Sequence, residues 1–325
     1  MGSLRSMEAA FKSGATSDEY LRQLYRFMAP REFVASRQEL ITAGFRPTRI
    51  DSWLRHGRLV KIVRSVYAYG RDIETPRAVN RAALLASGPG SALIGRSACE
   101  AWGLVETRSA LPRLVEVGSD QGQARTFTGL SPALRSTTIK VASRSFQPED
   151  IRNLNGLSVE RAALALAEFA ANASDPAVRF AFLEACRLRH FGKADLEYCF
   201  ARLFNRRGVR KLRPYLNLWV PALARTKSVF EGWWLLVWIE RGHPMPEVNA
   251  TIFGFEVDLL WRREGCVLEL DGDAFHSDPV QKELDSRKQK HLEANGLEVE
   301  RLTFKAFEAD PVGEVDRVAH RMGFC

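Results

Sequence analysis

GFEVDLLW at residues 254–261 and LELDGDAFH at residues 268–276 decide the fold of the C-terminal part of this chain. Each run places a carboxylate between apolar residues, Asp258 in the first and Glu269 in the second. A carboxylate buried in a strand costs several kcal/mol unless it is paired or binds a metal ion. The pattern therefore predicts two neighbouring strands whose acidic side chains serve a specific site.

The sequence around these runs predicts an α/β core. An apolar helix begins at Ser228 and ends near Arg241, and Pro244 and Pro246 then break the chain. A hairpin follows over 251–261 with Gly254 at its turn, then a third strand over 266–270, a helix over about 279–295 and a fourth strand over 297–304. The stripe of Trp233, Trp234 and Trp238 in the first helix is interpreted as core.

Three carboxylates are the predicted metal ligands: Asp258, Glu269 and Asp271. Glu269 and Asp271 are two residues apart, so both point to one face of their strand. Clustered carboxylates repel one another, and Mg²⁺ or Mn²⁺ relieves that repulsion. A bound divalent cation also activates water and neutralises a phosphate under attack, which is the chemistry of phosphodiester hydrolysis.

Glu231 has two interpretations that the sequence leaves open. It could add a ligand or position a metal-bound water from the preceding helix. Equally, Ser228-x-x-Glu231 is a capping box ahead of an apolar run, which needs no metal.

The N-terminal part predicts a winged helix that binds DNA. Ser36 and Glu39 form a capping box for a short helix, and a second helix, capped by Thr48, runs from about Thr48 to His56. Strand-forming runs follow at 59–63 and 65–69, which completes the winged-helix order. The second helix and the wing would offer a set of groove and phosphate contacts: Arg46, Thr48, Arg49, Ser52, Arg55, Lys61 and Arg64. The alternative is a small helical cap with solvated arginines.

The middle of the chain predicts a basic α+β region. Strands are expected at 114–117 and 138–141, and an alanine-rich buried helix over Val159–Ala171. Eight basic residues then lie on two further helices, where they would follow a DNA backbone or form a solvated surface: Arg187, Arg189, Arg202, Arg206, Arg207, Arg210, Lys211 and Arg213.

Composition limits the class of protein. The formal net charge is +8, yet residues 226–325 carry 12 Lys and Arg against 19 Asp and Glu, so the basic character belongs to the rest of the chain. Such a division suits a polyanion-binding part joined to a metal-binding part, or is ordinary charge variation. Five scattered cysteines, without a C-x-x-C pair, favour a reducing cytoplasm. No apolar run reaches the length of a membrane span.

The C-terminal motifs, taken in order, resemble the nuclease domain of the very-short-patch-repair (Vsr) endonucleases, within the PD-(D/E)XK superfamily. Beyond the two runs quoted above, the resemblance covers S-x-x-E at 228–231, P-x-x-N at 246–249, D-x-R at 285–287 and G-x-x-V-x-R-x-T at 296–303. It implies metal-dependent DNA cleavage with Asp258 as the central ligand.

One position departs from the superfamily pattern. The third motif ends in lysine, but the residue two past Glu269 is Asp271. The resemblance implies that a histidine takes part instead, and His276 is the candidate, with a helix-edge hydrogen bond as the alternative. Gln281, Lys282, Arg287 and Lys288 could also supply a donor, and Arg287 best matches the Vsr-like pattern.

The N-terminal run from Gln38 to Tyr69 resembles the winged domain of AbiEi-type antitoxins, and 83–104 resembles the next portion of that family. The predicted fold is thus α/β and multidomain. It comprises an extension at 1–22, a winged helix at 23–72, a basic α+β domain at 73–225 and a PD-(D/E)XK (restriction-endonuclease-like) core at 226–325.

The predicted function is an Mg²⁺- or Mn²⁺-dependent endodeoxyribonuclease in repair, restriction or phage defence. A homodimer would suit cleavage of both strands, and a toxin or repair partner is left unidentified. The alternative is a non-cutting AbiEi-type DNA-binding regulator with a degenerate nuclease fold, and RNA cleavage is a third hypothesis.

Overall fold

A computed structural model describes residues 17–107, 109–272 and 279–324. The chain divides into two compact units, Met1–Glu168 and Phe169–Cys325, and it is a mixed α/β fold with three sheets. The domain boundary expected between residues 225 and 226 lies inside the second unit and stays a prediction. No helix in the described ranges is both long and apolar enough to cross a membrane.

The elements of the first unit alternate between helices and short strands. They are α1 Ser17–Met28, β1 Val34–Ser36, α2 Arg37–Thr42, α3 Pro47–Arg55, β2 Leu59–Val63, β3 Val66–Tyr69, α4 Pro76–Ser87, β4 Ser91–Leu93, α5 Gly95–Ala101, β5 Leu114–Ser119, β6 Arg125–Thr128, β7 Thr138–Ser143, β8 Ile151–Leu154, β9 Leu157–Glu160 and α6 Ala162–Ala170, within which the two units divide.

The second unit begins with helices and continues with a sheet. Its elements are α7 Asp175–Arg187, α8 Lys193–Tyr198, α9 Val209–Asn217, α10 Val229–Glu240, β10 Glu247–Ile252, β11 Phe255–Trp261, β12 Cys266–Asp271, α11 Pro279–Ala294, β13 Glu298–Thr303, α12 Phe304–Ala309 and α13 Pro311–Arg321.

The N-terminal elements occur in the predicted order. The capping box of Ser36 and Glu39 at the start of α2 is confirmed. The predicted cap of α3 is wrong: the N-cap is Arg46 rather than Thr48, because Pro47 takes the first helical position, where its missing N–H is tolerated. Strands β1, β3 and β2 form an antiparallel sheet in that order, over a core that includes Leu40, Ile50 and Trp53.

A six-stranded sheet follows in the first unit, in the order β6-β7-β5-β4-β9-β8. The strands expected at 114–117 and 138–141 are confirmed and are longer than expected. The helix expected from Val159 begins instead at Ala162, because Leu157–Glu160 is a strand that pairs with β8 and β4. Tertiary pairing here overrides local helix propensity.

The sheet of the second unit has the order β10-β11-β12-β13. The first three strands are antiparallel neighbours, and β12 pairs with β13 in parallel after the α11 crossover. Phe253 and Gly254 form the β10–β11 turn with φ angles of 49° and 81°, as a two-residue type I′ turn requires. The predicted hairpin, third strand, helix and fourth strand are therefore confirmed as elements.

The tryptophan stripe of α10 is core, as expected. Trp234 and Trp238 are fully buried and stack on each other at 4.7 Å between ring centroids. Trp233 is only half-buried and lies under the guanidinium of Arg179 at 3.5 Å. This packing holds α10 against its unit, which positions the start of the helix beside the carboxylates of the sheet.

Candidate active site

The two predicted carboxylates lie where strands β11 and β12 part. The ladder between these strands runs from Trp261↔Cys266 to Leu259↔Leu268, and this register places Asp258 and Glu269 at the next step. There, Asp258 Oδ2 accepts a hydrogen bond of 2.8 Å from the Leu270 backbone N–H. A side chain thus replaces the backbone bond of the ladder, and the diverging strands leave an opening lined by acids.

Burial dominates the electrostatics of Asp258. Loss of solvation raises the pKa of this carboxyl to about 7, although the hydrogen bond from Leu270 opposes the shift. The negative charges of Glu269 and Glu231 raise that pKa further, and the Lys288 ammonium lowers it. The pKa of Glu269 is also raised, mainly by burial. A pair of buried acids with raised pKa values is typical of a functional site.

Lys288 lies directly against Glu269. Its Nζ is 2.7 Å from Glu269 Oε1, and the two side chains are 23% and 13% exposed. This ion pair lowers the pKa of Glu269, against the larger effect of burial. This arrangement brings a lysine into the acidic opening from the helix rather than from the strand.

Asp271 has a different partner. Arg301 on β13 holds it with two hydrogen bonds, at 2.9 Å and 2.5 Å, and the same guanidinium lies 3.8 Å from Asp285. The hydrogen bonds that Arg301 donates to Asp271 raise the pKa of Arg301. A bidentate pair fixes both planes, so Asp271 is engaged by a cation of its own chain.

Ser228 is the N-cap of helix α10, and Glu231 supports this cap through the Lys227 rather than the Ser228 backbone N–H. Its carboxylate accepts hydrogen bonds from the Ser228 hydroxyl and the Lys227 backbone N–H, and the Ser228 hydroxyl accepts from the Glu231 backbone N–H. The Asn249 side-chain N–H₂ donates to the same carboxylate at 2.8 Å, from a backbone with φ of 49°. These contacts fit the capping interpretation, while the charge of Glu231 still acts on Asp258.

The acids surround a cavity of about 430 Å³. Its polar lining comprises Lys227, Ser228, Glu231, Asp258, Glu269, Asp271, Asp285, Lys288, Gln289 and Arg301. A larger cleft of about 940 Å³ lies in the first unit, where Glu39 and Arg81 pair at 2.6 Å. The smaller cavity holds the cluster of titratable side chains, so it is the candidate active site.

Helix α11 shows which of the suggested donors reaches the cavity. Arg287 is exposed and pairs with Glu283, whereas Lys288 lines the cavity. Asp285, Lys288 and the buried Leu292 follow helical spacing on one inward face, a signal that the sequence already contained. His276 lies outside the described residues, as do the side chains of Gln281 and Lys282.

The seven predicted DNA contacts are at the surface of the first unit or close to it. Arg49 and Ser52 are half-buried, and the Arg49 guanidinium lies 4.4 Å from the Tyr20 ring centroid. The others are exposed: Arg46, Thr48, Arg55, Lys61 and Arg64. Helical spacing puts Thr48, Ser52 and Arg55 on a shared side of α3.

Two carboxylates at the cavity suit a divalent cation. Asp258 and Glu269 are oxygen donors, and Glu269 Oε1 is buried without an aligned donor. Within the residues that the structure describes, no group of three or more His, Cys, Asp or Glu side chains is arranged to hold a metal ion. The third predicted ligand, Asp271, faces Arg301 instead.

Comparison with known proteins adds nothing to this geometry. No protein-family model matches the chain, and no curated protein matches it.

Proposed function

We propose that this chain is a metal-dependent endodeoxyribonuclease of the Vsr-like PD-(D/E)XK kind, guided to DNA by an AbiEi-like winged helix. One observation carries the proposal: the half-buried carboxylates of Asp258 and Glu269 lie side by side at the point where two strands part, with Lys288 against Glu269. Burying two carboxylates side by side is unfavourable without a cation. A catalytic role explains why the site keeps both.

The residues at the cavity divide the work as follows. Asp258 and Glu269 would hold Mg²⁺ or Mn²⁺, which supplies Lewis acidity and an activated water when bound. The Lys288 ammonium has three N–H donors. Its ion pair with Glu269 leaves donors for a phosphate oxygen. It stands in for the lysine that the motif lacks at Asp271.

The order of elements supports both fold assignments. Helix α10, the meander β10-β11-β12, the crossover helix α11 and the parallel strand β13 follow the PD-(D/E)XK order. Helices α2 and α3 with the β2–β3 hairpin follow the winged-helix order. Duplex DNA is the proposed partner, with the cytoplasm as its setting.

A second candidate is a non-cutting DNA-binding regulator with a nuclease-like scaffold. Two ion pairs favour it, Lys288–Glu269 and Arg301–Asp271, because the protein's own cations already neutralise two of the three predicted ligands. The half-buried Asp258 forms no ion pair with a cation among the residues that the structure describes, which favours the enzyme.

Nuclease assays test the proposal directly. Supercoiled plasmid, linear duplex, single-stranded DNA and RNA are incubated with the protein in Mg²⁺, Mn²⁺ or EDTA. We expect DNA cleavage with metal and its loss in Asp258→Asn and Glu269→Gln. Glu256→Gln is the matched control, since Glu256 is an exposed carboxylate of the same strand, paired with Lys227.

Two results would count against the enzyme. Absence of cleavage with either metal favours the regulator. Equal cleavage by Asp258→Asn and the unmodified protein points to a contaminating nuclease. Cleavage of RNA alone would change the substrate class.

A further inference from the structure

The second unit exposes two phenylalanines within a purely basic stretch, CFARLFNRRGVRKLR at residues 199–213. Phe200 is 42% exposed and Phe204 is 48% exposed. Single exposed apolar side chains are common on protein surfaces, but two exposed rings four residues apart make a candidate binding surface. We name this stretch the Phe–Arg surface.

Local structure explains why these two rings face outward. Residues Cys199–Leu203 form a π-helical turn that continues α8, and its inward positions are taken by the buried Cys199 and Leu203. The rings of Phe200 and Phe204 are left on the outer side. π-helical turns are rare and occur often at functional sites.

The stretch from 199 to 213 is itself basic, although the exposed Glu197 lies one turn before Phe200. The stretch carries six basic residues and no acidic one: Arg202, Arg206, Arg207, Arg210, Lys211 and Arg213. The first four of these are exposed. The Arg213 guanidinium lies 4.3 Å from the centroid of the Phe204 ring, and this cation–π contact holds the ring in place.

We infer that the Phe–Arg surface binds a single-stranded segment of DNA, with unpaired bases stacked on Phe200 and Phe204 and phosphates held by the arginines. Aromatic rings between basic side chains are how proteins hold single strands without reading sequence. A duplex hides the faces of its bases and would leave both rings unused. This inference rests on the proposed function and narrows the substrate to DNA with an unpaired segment.

An acidic partner protein would also be attracted by the charge. It does not explain the spacing of two exposed rings among phosphate-binding side chains, so the single strand is the better occupant. An abasic DNA strand separates the contribution of the bases from that of the phosphates. If bases stack on the two rings, a variant without the rings loses affinity for a normal strand but not for an abasic one.

Binding is measured in EDTA, so that cleavage does not enter. The full chain is titrated by fluorescence anisotropy into three labelled probes of about 20 nucleotides, longer than the usual site of one single-strand-binding module: oligo-dT, an abasic strand and a duplex. We expect Phe200→Ala with Phe204→Ala to weaken oligo-dT binding about tenfold or more. Binding of the abasic strand should change less than about twofold.

Three variants serve as controls. Phe180→Ala removes an exposed phenylalanine elsewhere in the same unit and should leave oligo-dT binding unchanged. Phe204→Tyr keeps a ring and should keep the affinity. Arg207→Gln with Arg210→Gln should weaken the oligo-dT and abasic probes alike and lower the salt dependence.

The inference is overturned if the double phenylalanine variant binds oligo-dT with the affinity of the unmodified protein. It is also overturned if the variant's affinities for the abasic strand and for oligo-dT fall by the same factor. Failure of the unmodified protein to bind oligo-dT overturns it as well, and binding of acidic proteins alone would assign the surface to a partner. The proposed function is tested apart from this: absence of plasmid cleavage with intact stacking defeats the nuclease only.

Discussion

Lys288 Nζ lies 2.7 Å from Glu269 Oε1, and this contact between a helix and a strand joins residues nineteen positions apart in sequence. This contact supplies a cation at a site whose sequence motif has an aspartate, Asp271, where a lysine is expected. The helix therefore contributes what the strand lacks. The contribution of Lys288 to DNA cleavage can be measured separately from that of Arg287, its neighbour on the same helix.

Lys288→Gln is expected to lower the rate of DNA cleavage by about 10²- to 10⁴-fold, the range for loss of a positioned donor. Arg287→Gln is the matched control, because Arg287 is exposed and pairs only within its helix surface. It should cleave within about threefold of the unmodified protein. The reverse result, with Arg287 essential and Lys288 dispensable, would restore the assignment that the sequence resemblance favours.

Stability should depend on pH through Asp258. Its pKa is about 7 in the folded protein against an ordinary 3.8, so the folded state binds this proton more tightly than the unfolded state. The associated stability is present at low pH and is lost as pH rises from about 4 to about 7. The loss amounts to as much as roughly 4 kcal/mol.

Asp258→Asn should remove this loss. The amide oxygen can still accept from Leu270, and the variant should be more stable than the unmodified protein at pH 8 in EDTA, on the order of 2 kcal/mol. Urea unfolding from about pH 5 to pH 8.5 measures both proteins. Parallel pH profiles for the two proteins would show that Asp258 does not titrate as inferred.

Divalent metal should stabilise the unmodified protein selectively. A ligand that binds only the folded state raises the melting temperature with its concentration. We expect Mg²⁺ or Mn²⁺ to do so at pH 8, and the effect to vanish in Glu269→Gln and in Asp258→Asn. Glu256→Gln should respond like the unmodified protein, and an equal metal response in all four proteins would place the binding elsewhere.

Two substitutions decide whether Glu231 supports the start of α10 or is a metal ligand. Ser228→Ala removes the cap of α10 and should cost about 0.5–2 kcal/mol of stability. Glu231→Gln keeps one acceptor oxygen, which can still accept from the Lys227 N–H, but replaces the other oxygen with an amide N–H₂ and removes the charge. Cleavage near the unmodified rate in Glu231→Gln supports a structural role, and a loss comparable to Glu269→Gln would make Glu231 a metal ligand.

The basic face of the first unit should bind duplex DNA through phosphates. Arg55→Ala and Lys61→Ala are each expected to weaken duplex binding and to reduce the salt slope by about one. Lys140→Ala is the control, since it removes an exposed lysine from the larger sheet of the same unit. Equal effects from all three substitutions would indicate attraction by net charge alone.

The sequence by itself determined the elements from α10 to β13 and the two central acids. Alternation around Asp258 and Glu269, the Phe253-Gly254 turn and the cap at Ser228 are local signals, and each depends on neighbours in the chain. The same is true of the α2 capping box. The local pattern predicted a helix from Val159, but this residue lies in a strand because it pairs with Leu93, which is distant in sequence.

Only the tertiary structure decided which charges meet. The β11–β12 register brings Asp258 beside Glu269, and the parallel β12–β13 pairing brings Arg301 to Asp271. Helical spacing alone puts Lys288 on the same side of α11 as Leu292, but only the packing of α11 sets that side against Glu269. Each of these contacts joins residues far apart in sequence. Side-chain reach and burial, which sequence spacing does not contain, therefore select the partner of every carboxylate at the site.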